Sequence, residues 1–387
     1  MVKDMHKKIC IVSGSDLSIP SANTIRPVYL AKGLQKIGFE VHIVAPKPSG
    51  RVPHDLTGIR IHTVPIRMST TLGSYLINQI LRAVLLVRKA KQVQKATGAI
   101  LQFEHDLLGG CAALMGCRNF VLEFRDMSSK SEIYRSHRLS KILTRFIIWL
   151  EKLALSRAAK IITVSESLKG EIVKEFGVQE NKVEVIPPGF SESLISHLKD
   201  RISEVEGRIA FLGTLIEDID YDKIVVLAQS LSNNEEIYII GDGRMRGYLE
   251  KKIKDLGLKN IVLTGWLPEK EAYELLASSQ IAILPLRDNP ILDAAFPVKG
   301  MYYAALGKAI VMDDCELARE LKKHNAALVS ERGKPDEFIR NVHILLKNKE
   351  LRLKIGINAR DWAKDFTWEN QAKKLAKIYE TLDGDSK

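Results

Sequence analysis

Lys299 and Arg287 lie in a polar loop between the apolar run Ile281–Leu286 and a helix-like run that stops at Gly307. In open parallel sheets, ligands bind beyond the carboxyl ends of the strands, and a helix start carries partial positive charge. An ammonium at residue 299 adds to that charge, so the chemistry expected of this loop is the binding of an anion. Three further groups follow apolar runs in the first half of the chain. Glu104-His105-Asp106 comes after Ala99–Phe103, Arg125-Asp126 comes after Phe120–Phe124, and Asn23 and Arg26 open a helix after Lys8–Val12. A histidine of near-neutral pKa moves protons or binds hydroxyls, and Asp106 or Asp126 accepts from a hydroxyl. His105 and Asp126 are the expected catalytic groups, with Asn23, Arg26 and Arg125 lining the same crevice. Simpler roles are Asp106 as a helix cap and Arg125 with Asp126 as a local ion pair.

The elements that position these residues are short buried strands alternating with amphipathic helices. Strands are expected at 8–12, 40–44, 59–64, 99–103, 120–124, 161–164 and 182–186, then at 208–212, 237–240, 261–264, 281–286, 309–312 and 327–329. That rhythm gives α/β architecture: two Rossmann-like doubly wound domains facing across a cleft. The expected boundaries are 1–190 for the first domain, 191–206 for a linker entered through Pro187-Pro188, and 207–365 for the second domain. Residues 366–387 form a closing helix packing back toward the first domain. At 387 residues the chain suits two cores of roughly 150 to 200 residues each.

Composition narrows the classes. Residues 1–190 hold 28 Lys/Arg against 15 Asp/Glu, a net of +13, while the remainder nets −2. A basic half meets something anionic or merely keeps the chain soluble. A nucleic-acid binder is disfavoured, because no recognised module and few aromatics accompany the basic residues. The four cysteines show no metal-ligand spacing and read as reduced core residues of a cytoplasmic protein, with no metal expected. Gly14-Ser15-Asp16 follows the first strand in place of GxGxxG, which argues against a dinucleotide enzyme. The start reads as a strand rather than a signal peptide, and Asn78, Gln79 and Arg82 interrupt the most apolar helical stretch, so no span is expected.

The run Ile161-Ile162-Thr163-Val164-Ser165-Glu166-Ser167, then Gly177 and Val185-Ile186-Pro187-Pro188-Gly189, resembles the end of the N-terminal domain in GT-B glycosyltransferases of family 4. Gly241-Asp242-Gly243, Thr264-Gly265-Trp266-Leu267-Pro268, the 281–311 block and Trp368 continue the resemblance in order. It implies transfer of a sugar from a nucleotide-sugar co-substrate, with retention and no bound metal or other cofactor. The nucleotide then lies on the C-terminal domain and the acceptor on the N-terminal one. Donor contacts are implied at Gly213, Arg244, Arg287, Phe296, Lys299 and Tyr302. The sequence departs from the family pattern where Thr214 replaces an Arg, where Glu217-Asp218 stands near an expected Lys, and where Ala294 and Tyr302 replace two glutamates. Arg287, Lys299 and Arg244 or Arg246 are the candidate replacement cations. Asn23 and Arg26 resemble a family variant lacking the common glycine pair.

Residues 135–157 contain no Gly or Pro and follow the helical period of about 100° per residue. Leu139, Ile142, Leu143, Phe146, Leu150 and Leu153 are expected on one face, with Arg138, Lys141, Arg145, Lys152, Ile148 and Trp149 on another. A basic stripe holding a Trp suits contact with an anionic membrane surface, and 76–95 adds a second basic helix. The sequence therefore describes a hexosyltransferase-type enzyme on the cytoplasmic face of the cell membrane, peripheral, acting on a lipid-linked or membrane-associated glycan. Alternatives are a degenerate partner subunit and a nucleotide-sugar epimerase of the same fold.

Overall fold

The computed structural model describes residues 7–19, 21–52, 56–66, 75–130, 140–198 and 202–384. The chain divides into two compact units, Met1–Pro187 with Trp368–Lys387, and Pro188–Thr367.

The first unit is built on β1 (Lys8–Val12), β2 (Glu40–Pro46), β3 (Arg60–Val64), β4 (Ile100–Phe103), β5 (Phe120–Phe124), β6 (Ala158–Thr163) and β7 (Val183–Val185). They form one parallel sheet in the order β3-β2-β1-β4-β5-β6-β7. Ile9 to Val12 of β1 are wholly buried, as a strand covered on both faces requires. The helices are α1 (Ala22–Lys36), α2 (Tyr75–Thr97), α3 (Asp106–Leu114), α4 (Ser140–Arg157) and α5 (Glu166–Phe176). Ser165 caps α5 by accepting from the Leu168 N–H at 3.2 Å, and Gly177 ends it at φ 66°. Strand order reverses between β1 and β4, so the crevice of this sheet opens where Glu104, His105 and Asp106 emerge.

The second unit has α6 (Glu192–Leu198), β8 (Arg208–Leu212), α7 (Tyr221–Ser230), β9 (Glu236–Ile240), α8 (Arg246–Asp255), β10 (Ile261–Gly265), α9 (Glu269–Ala277) and β11 (Ile281–Leu284). It continues with α10 (Val298–Ala305), β12 (Ala309–Asp313), α11 (Glu316–Lys323), β13 (Leu328–Ser330), α12 (Pro335–Lys347) and α13 (Lys349–Ala363). Its parallel sheet runs β10-β9-β8-β11-β12-β13, with the reversal between β8 and β11. The stretch 191–206 departs from the linker expected there: α6 buries Ile195 and Leu198, and the Val205 N–H bonds the Ser278 carbonyl, so the described residues 191–198 and 202–206 belong to the second unit. The last helix, α14 (Trp368–Gly384), packs on α1, with Trp368 stacked on Tyr29 at 6.0 Å and Lys36 paired to Glu369 at 2.7 Å. All four cysteines are buried and free.

A chain of polar side chains runs through the first core. The Arg26 guanidinium donates to Glu123 at 2.5 Å and to the Ile186 carbonyl at 2.8 Å. Gln102 donates to the second Glu123 oxygen at 3.1 Å, and the Tyr379 hydroxyl donates to Gln102. Burial would raise the Glu123 pKa, but Arg26 and Arg125 hold it below the usual carboxylate value. A group of depressed pKa adds stability above its unfolded pKa and loses it as pH falls. Arg26→Leu leaves that carboxylate buried beside fewer partners and is expected to cost about 3–5 kcal/mol, read by urea unfolding at pH 7. The penalty shrinks as pH falls and Glu123 takes up a proton; a penalty unchanged down to the acid limit would remove the ion pair as its cause.

Candidate functional site

Two strand-end clusters carry the chemistry. In the first unit, β4 ends at Phe103 and Glu104 turns into the core, so His105 becomes the cap of α3. Its Nδ1 lies against Oδ1 of Asp106, and its Nε2 is 3.7 Å from Oδ1 of Asp126 behind β5. Partial burial would lower the imidazole pKa, but the charges of Asp106 and Asp126 outweigh it and raise it to about 9. His105 is therefore a cation at pH 7, a hydrogen-bond donor rather than the near-neutral base expected from its type alone. Asp106 is buried and accepts from the Ser128 N–H at 3.0 Å and the Ser128 hydroxyl at 2.8 Å. Against burial, His105 and these bonds hold Asp106 down at about 2.

The remaining sequence-selected groups of this unit take other positions. Asn23 is exposed on the first turn of α1. Arg26 is not a crevice residue, because its guanidinium is committed to Glu123 and Ile186 inside the core. Arg125 does not pair with Asp126; it donates to the Glu104 carbonyl at 2.9 Å and lies 3.7 Å from Glu123. Asp126 is 71% exposed, free to meet solvent or ligand beside His105. Asp106 is the first residue of α3 and not the cap expected of it, and it is the anchor of the histidine.

In the second unit, Lys299 sits in the first turn of α10 and folds back over the end of β8. Its Nζ is 4.6 Å from the Phe211 ring centroid. Gly213, at φ 145°, makes the space: a Cβ there would lie 2.8 Å from Cε and 2.9 Å from Nζ of Lys299. Burial lowers the Lys299 pKa to about 8, with Asp218 opposing the shift. The acidic turn 217–220 that the sequence sets against phosphate is thus partly spoken for. Glu217 pairs with Arg244 at 2.5 Å, and Asp218 acts on Lys299. Arg244 is consequently not a free cation, nor is Arg246, which bonds Asp242 at 3.1 Å and Glu250 at 2.6 Å.

Arg287 is exposed, and its backbone N–H bonds the Asp218 carbonyl at 3.0 Å. Its loop is clamped by Asp313, whose Oδ2 accepts from Leu286 N–H at 2.7 Å and from buried Lys223 at 2.6 Å. Burial lifts Asp313 to about 6 in spite of Lys223. Phe296 and Tyr302 are buried, and Tyr302 stacks on Tyr273 at 4.5 Å. Tyr302 is therefore core packing and not the donor contact that the resemblance implies.

Helix α4 corrects a face assignment. Ile142 is 69% exposed, Phe146 38% and Trp149 48%, with Phe146 and Trp149 stacked at 5.8 Å, and Lys141, Arg145 and Lys152 are exposed beside them. The buried side is Ile147, Leu150, Glu151, Ala154 and Leu155. Arg138 and Leu139 lie outside the described residues. On α2, Arg82 is buried, while Arg88, Lys91 and Lys95 are exposed. Sequence reading missed Glu151, whose carboxyl meets Asp106 and accepts from the Ser129 N–H at 3.0 Å. Its signal was a lone acid between Leu150 and Ala154 on the inward face. Among the described residues no three His, Cys, Asp or Glu side chains converge to hold a metal, and no helix is long and apolar enough to cross a membrane.

The glycosyltransferase family 4 profile matches residues 27–194 and the glycosyl transferases group 1 profile residues 196–362. An uncharacterized glycosyltransferase of Methanocaldococcus jannaschii, MJ1178, is 22% identical over 85% of this chain and 87% of its own length. For a second from that organism, MJ1607, 26% identity covers 59% of this chain, which spans only 62% of that protein. The N,N'-diacetylbacillosaminyl-diphospho-undecaprenol alpha-1,3-N-acetylgalactosaminyltransferase of Campylobacter jejuni is 26% identical over 62% of this chain and 65% of its own. Sucrose-phosphate synthase from Thermosynechococcus elongatus shares the fold at a TM-score of 0.79, 16% identity, over 98% of this chain and 100% of that one. Anabaena HepE in complex with UDP-glucose gives 0.73 at 15% identity over 97% and 100%. With a doubly wound parallel sheet in each unit and the two profiles spanning both, the chain belongs to the GT-B glycosyltransferases of family 4 and group 1.

Proposed function

We propose that this protein transfers a hexose-type sugar from a nucleotide-sugar donor to a lipid-linked or membrane-associated glycan, with retention and without a metal or other cofactor. The observation that carries the reading is Lys299, an ammonium held over Gly213 at the carboxyl end of β8 and in the first turn of α10. A leaving diphosphate gains negative charge as the glycosidic bond breaks, and a preorganised cation at a helix start stabilises that charge. Arg287, at the mouth of the clamped loop beyond β11, adds a second positive group. In the first unit, protonated His105 donates to a sugar oxygen, and Asp126 beside it accepts from an acceptor hydroxyl. HepE binds UDP-glucose and the Campylobacter relative is named for a diphospho-undecaprenol substrate; both support the substrate class.

The exposed Ile142, Phe146 and Trp149 amid Lys141, Arg145 and Lys152 support docking of α4 on an anionic membrane, at the cytoplasmic face where nucleotide sugars are made available. At about 1 kcal/mol per basic residue, three of them supply roughly 3 kcal/mol, enough for reversible docking and not for anchoring.

Two measurements test the reading. Calorimetry with a panel of UDP-, GDP- and dTDP-sugars is expected to find one binder, and Lys299→Ala to weaken it by about tenfold or more. The ammonium is fully charged well below its pKa and is lost above it, so affinity is expected to fall as pH rises beyond about 8. No binding to any donor favours the non-catalytic alternative. Separately, the triple change Lys141→Glu, Arg145→Glu and Lys152→Glu is expected to lower binding to phosphatidylglycerol vesicles by at least on the order of a hundredfold. Unchanged vesicle binding removes the membrane part and leaves the donor part standing.

A further inference from the structure

We propose that Glu151 is a positioning residue for His105: its carboxyl group carries a proton, donates it in a hydrogen bond to Asp106, and so fixes the carboxylate against the imidazole. This rests on the reading of His105 as a substrate-facing group in sugar transfer.

Glu151 is wholly buried on the inner face of α4. Its Oε1 accepts from the Ser129 N–H at 3.0 Å, while no N–H or hydroxyl donor reaches its Oε2. Ser129 holds Glu151 and the adjacent Ser128 holds Asp106, so the two buried carboxyl groups stand side by side and the Asp106 charge acts directly on Glu151. Two buried carboxyl groups in contact cannot both be ionised, and one shared proton satisfies both. The location of that proton follows from the neighbours. Asp106 already accepts from Ser128 N–H and Oγ and faces the imidazole, so it keeps the charge. Glu151 has Ser129 alone to oppose it and no cation, so it keeps the proton; burial and the Asp106 charge outweigh Ser129 and raise it to about 8. The titratable groups around the pair are His105 on α3, and Arg125 and Asp126 behind β5.

The packing keeps the arrangement stiff. α3 lies directly on α4: a Cβ on Gly110 would come 2.9 Å from the Leu150 carbonyl oxygen, and one on Gly109 3.3 Å from the Ala154 methyl. The residue that delivers the proton thus sits on the same turn as the backbone against which α3 rests. A misplaced side chain remote from the reacting atoms costs rate through orientation, and His105 has one ring nitrogen committed to this anchor.

The variants are Glu151→Gln, whose amide N–H replaces the carboxyl proton, and Glu151→Leu, which has the volume and no donor. Infrared spectra of the full-length protein at pH 7 are expected to show a buried protonated-carboxyl stretch that Glu151→Gln removes. The Nδ1–H resonance of His105 is expected to stay in place in Glu151→Gln and to move in Glu151→Leu. With the nucleotide sugar selected by calorimetry, Glu151→Gln is expected to keep kcat within about threefold, and Glu151→Leu to lose about tenfold or more with donor KM little changed. A protonated-carboxyl band that Glu151→Gln leaves unchanged, or a His105 resonance that both variants leave alone, overturns the inference. So does a Glu151→Gln as impaired as Glu151→Leu while both keep the wild-type unfolding midpoint. Loss of transfer activity in the wild type itself would count against the function and not against the proton, which the spectra decide alone.

Discussion

An ionised group buried at the carboxyl end of a parallel strand has lost water on every side, and the cost of several kcal/mol is recovered only through partners brought from elsewhere in the chain. In both units this requirement dictates the loops. Asp313, at the end of β12, draws Lys223 from α7 and the backbone of Leu286, so the loop beyond β11 has one course. Asp106 draws Ser128 and, through Glu151, helix α4. Glu123 draws Arg26 from α1 and, through Gln102, Tyr379 from α14. The sheets supply the platform, but these pairings fix the side chains at the strand ends.

Lys299 is the contrast that gives the arrangement its chemical sense. Lys223 lies 2.6 Å from a carboxylate and also 5.2 Å over the Phe338 ring, so its charge is neutralised inside the protein. Lys299 has an aromatic face, a glycine and the field of Asp218, and its depressed pKa records the shortfall. A cation held with incomplete compensation gains more from an incoming anion than one already paired, because the ligand restores what burial removed. His105 has the opposite history: two carboxylates hold it charged, so it is a donor. Opposite shifts leave both groups positive at pH 7, the charge that the proposed donor and acceptor call for.

The architecture was legible because a strand covered on both faces must be a short unbroken apolar run, and all the expected runs, from 8–12 to 327–329, are strands. Lys299 and His105 were legible for the same reason, as the first polar residues after such runs or at the next helix start. Pairing across the sheet was not. Arg26 and Glu123 are 97 residues apart and Lys223 and Asp313 are 90, and nothing local marks either arginine or lysine as interior. Arg26 therefore read as a crevice residue and Tyr302 as a ligand contact, although the buried Glu123 carboxylate with the Ile186 carbonyl and a Tyr273 stack had claimed them. The reading of 191–206 as a linker failed because α6 is short and only its two anchors Ile195 and Leu198 carry the packing.

Helix α4 shows how an interior acid can fix what a surface presents. Periodicity alone gathered Ile142, Phe146 and Leu150 on one inward stripe, since they recur at the spacing of four that defines a helix face. That stripe would leave Glu151 at its edge, facing neither Asp106 nor the Ser129 N–H. Instead the bonds to Glu151 and the close seat of Leu150 on Gly110 turn the helix, so Ile147, Leu150, Glu151 and Ala154 point inward. Two residues along an α-helix are separated by about 200°. Trp149 must then point away from the core as firmly as Glu151 points into it, and Phe146 follows it by stacking. The apolar patch among Lys141, Arg145 and Lys152 is thus no accident of loose packing: the contacts that anchor the histidine also hold these aromatic rings in solvent, where a surface can meet them.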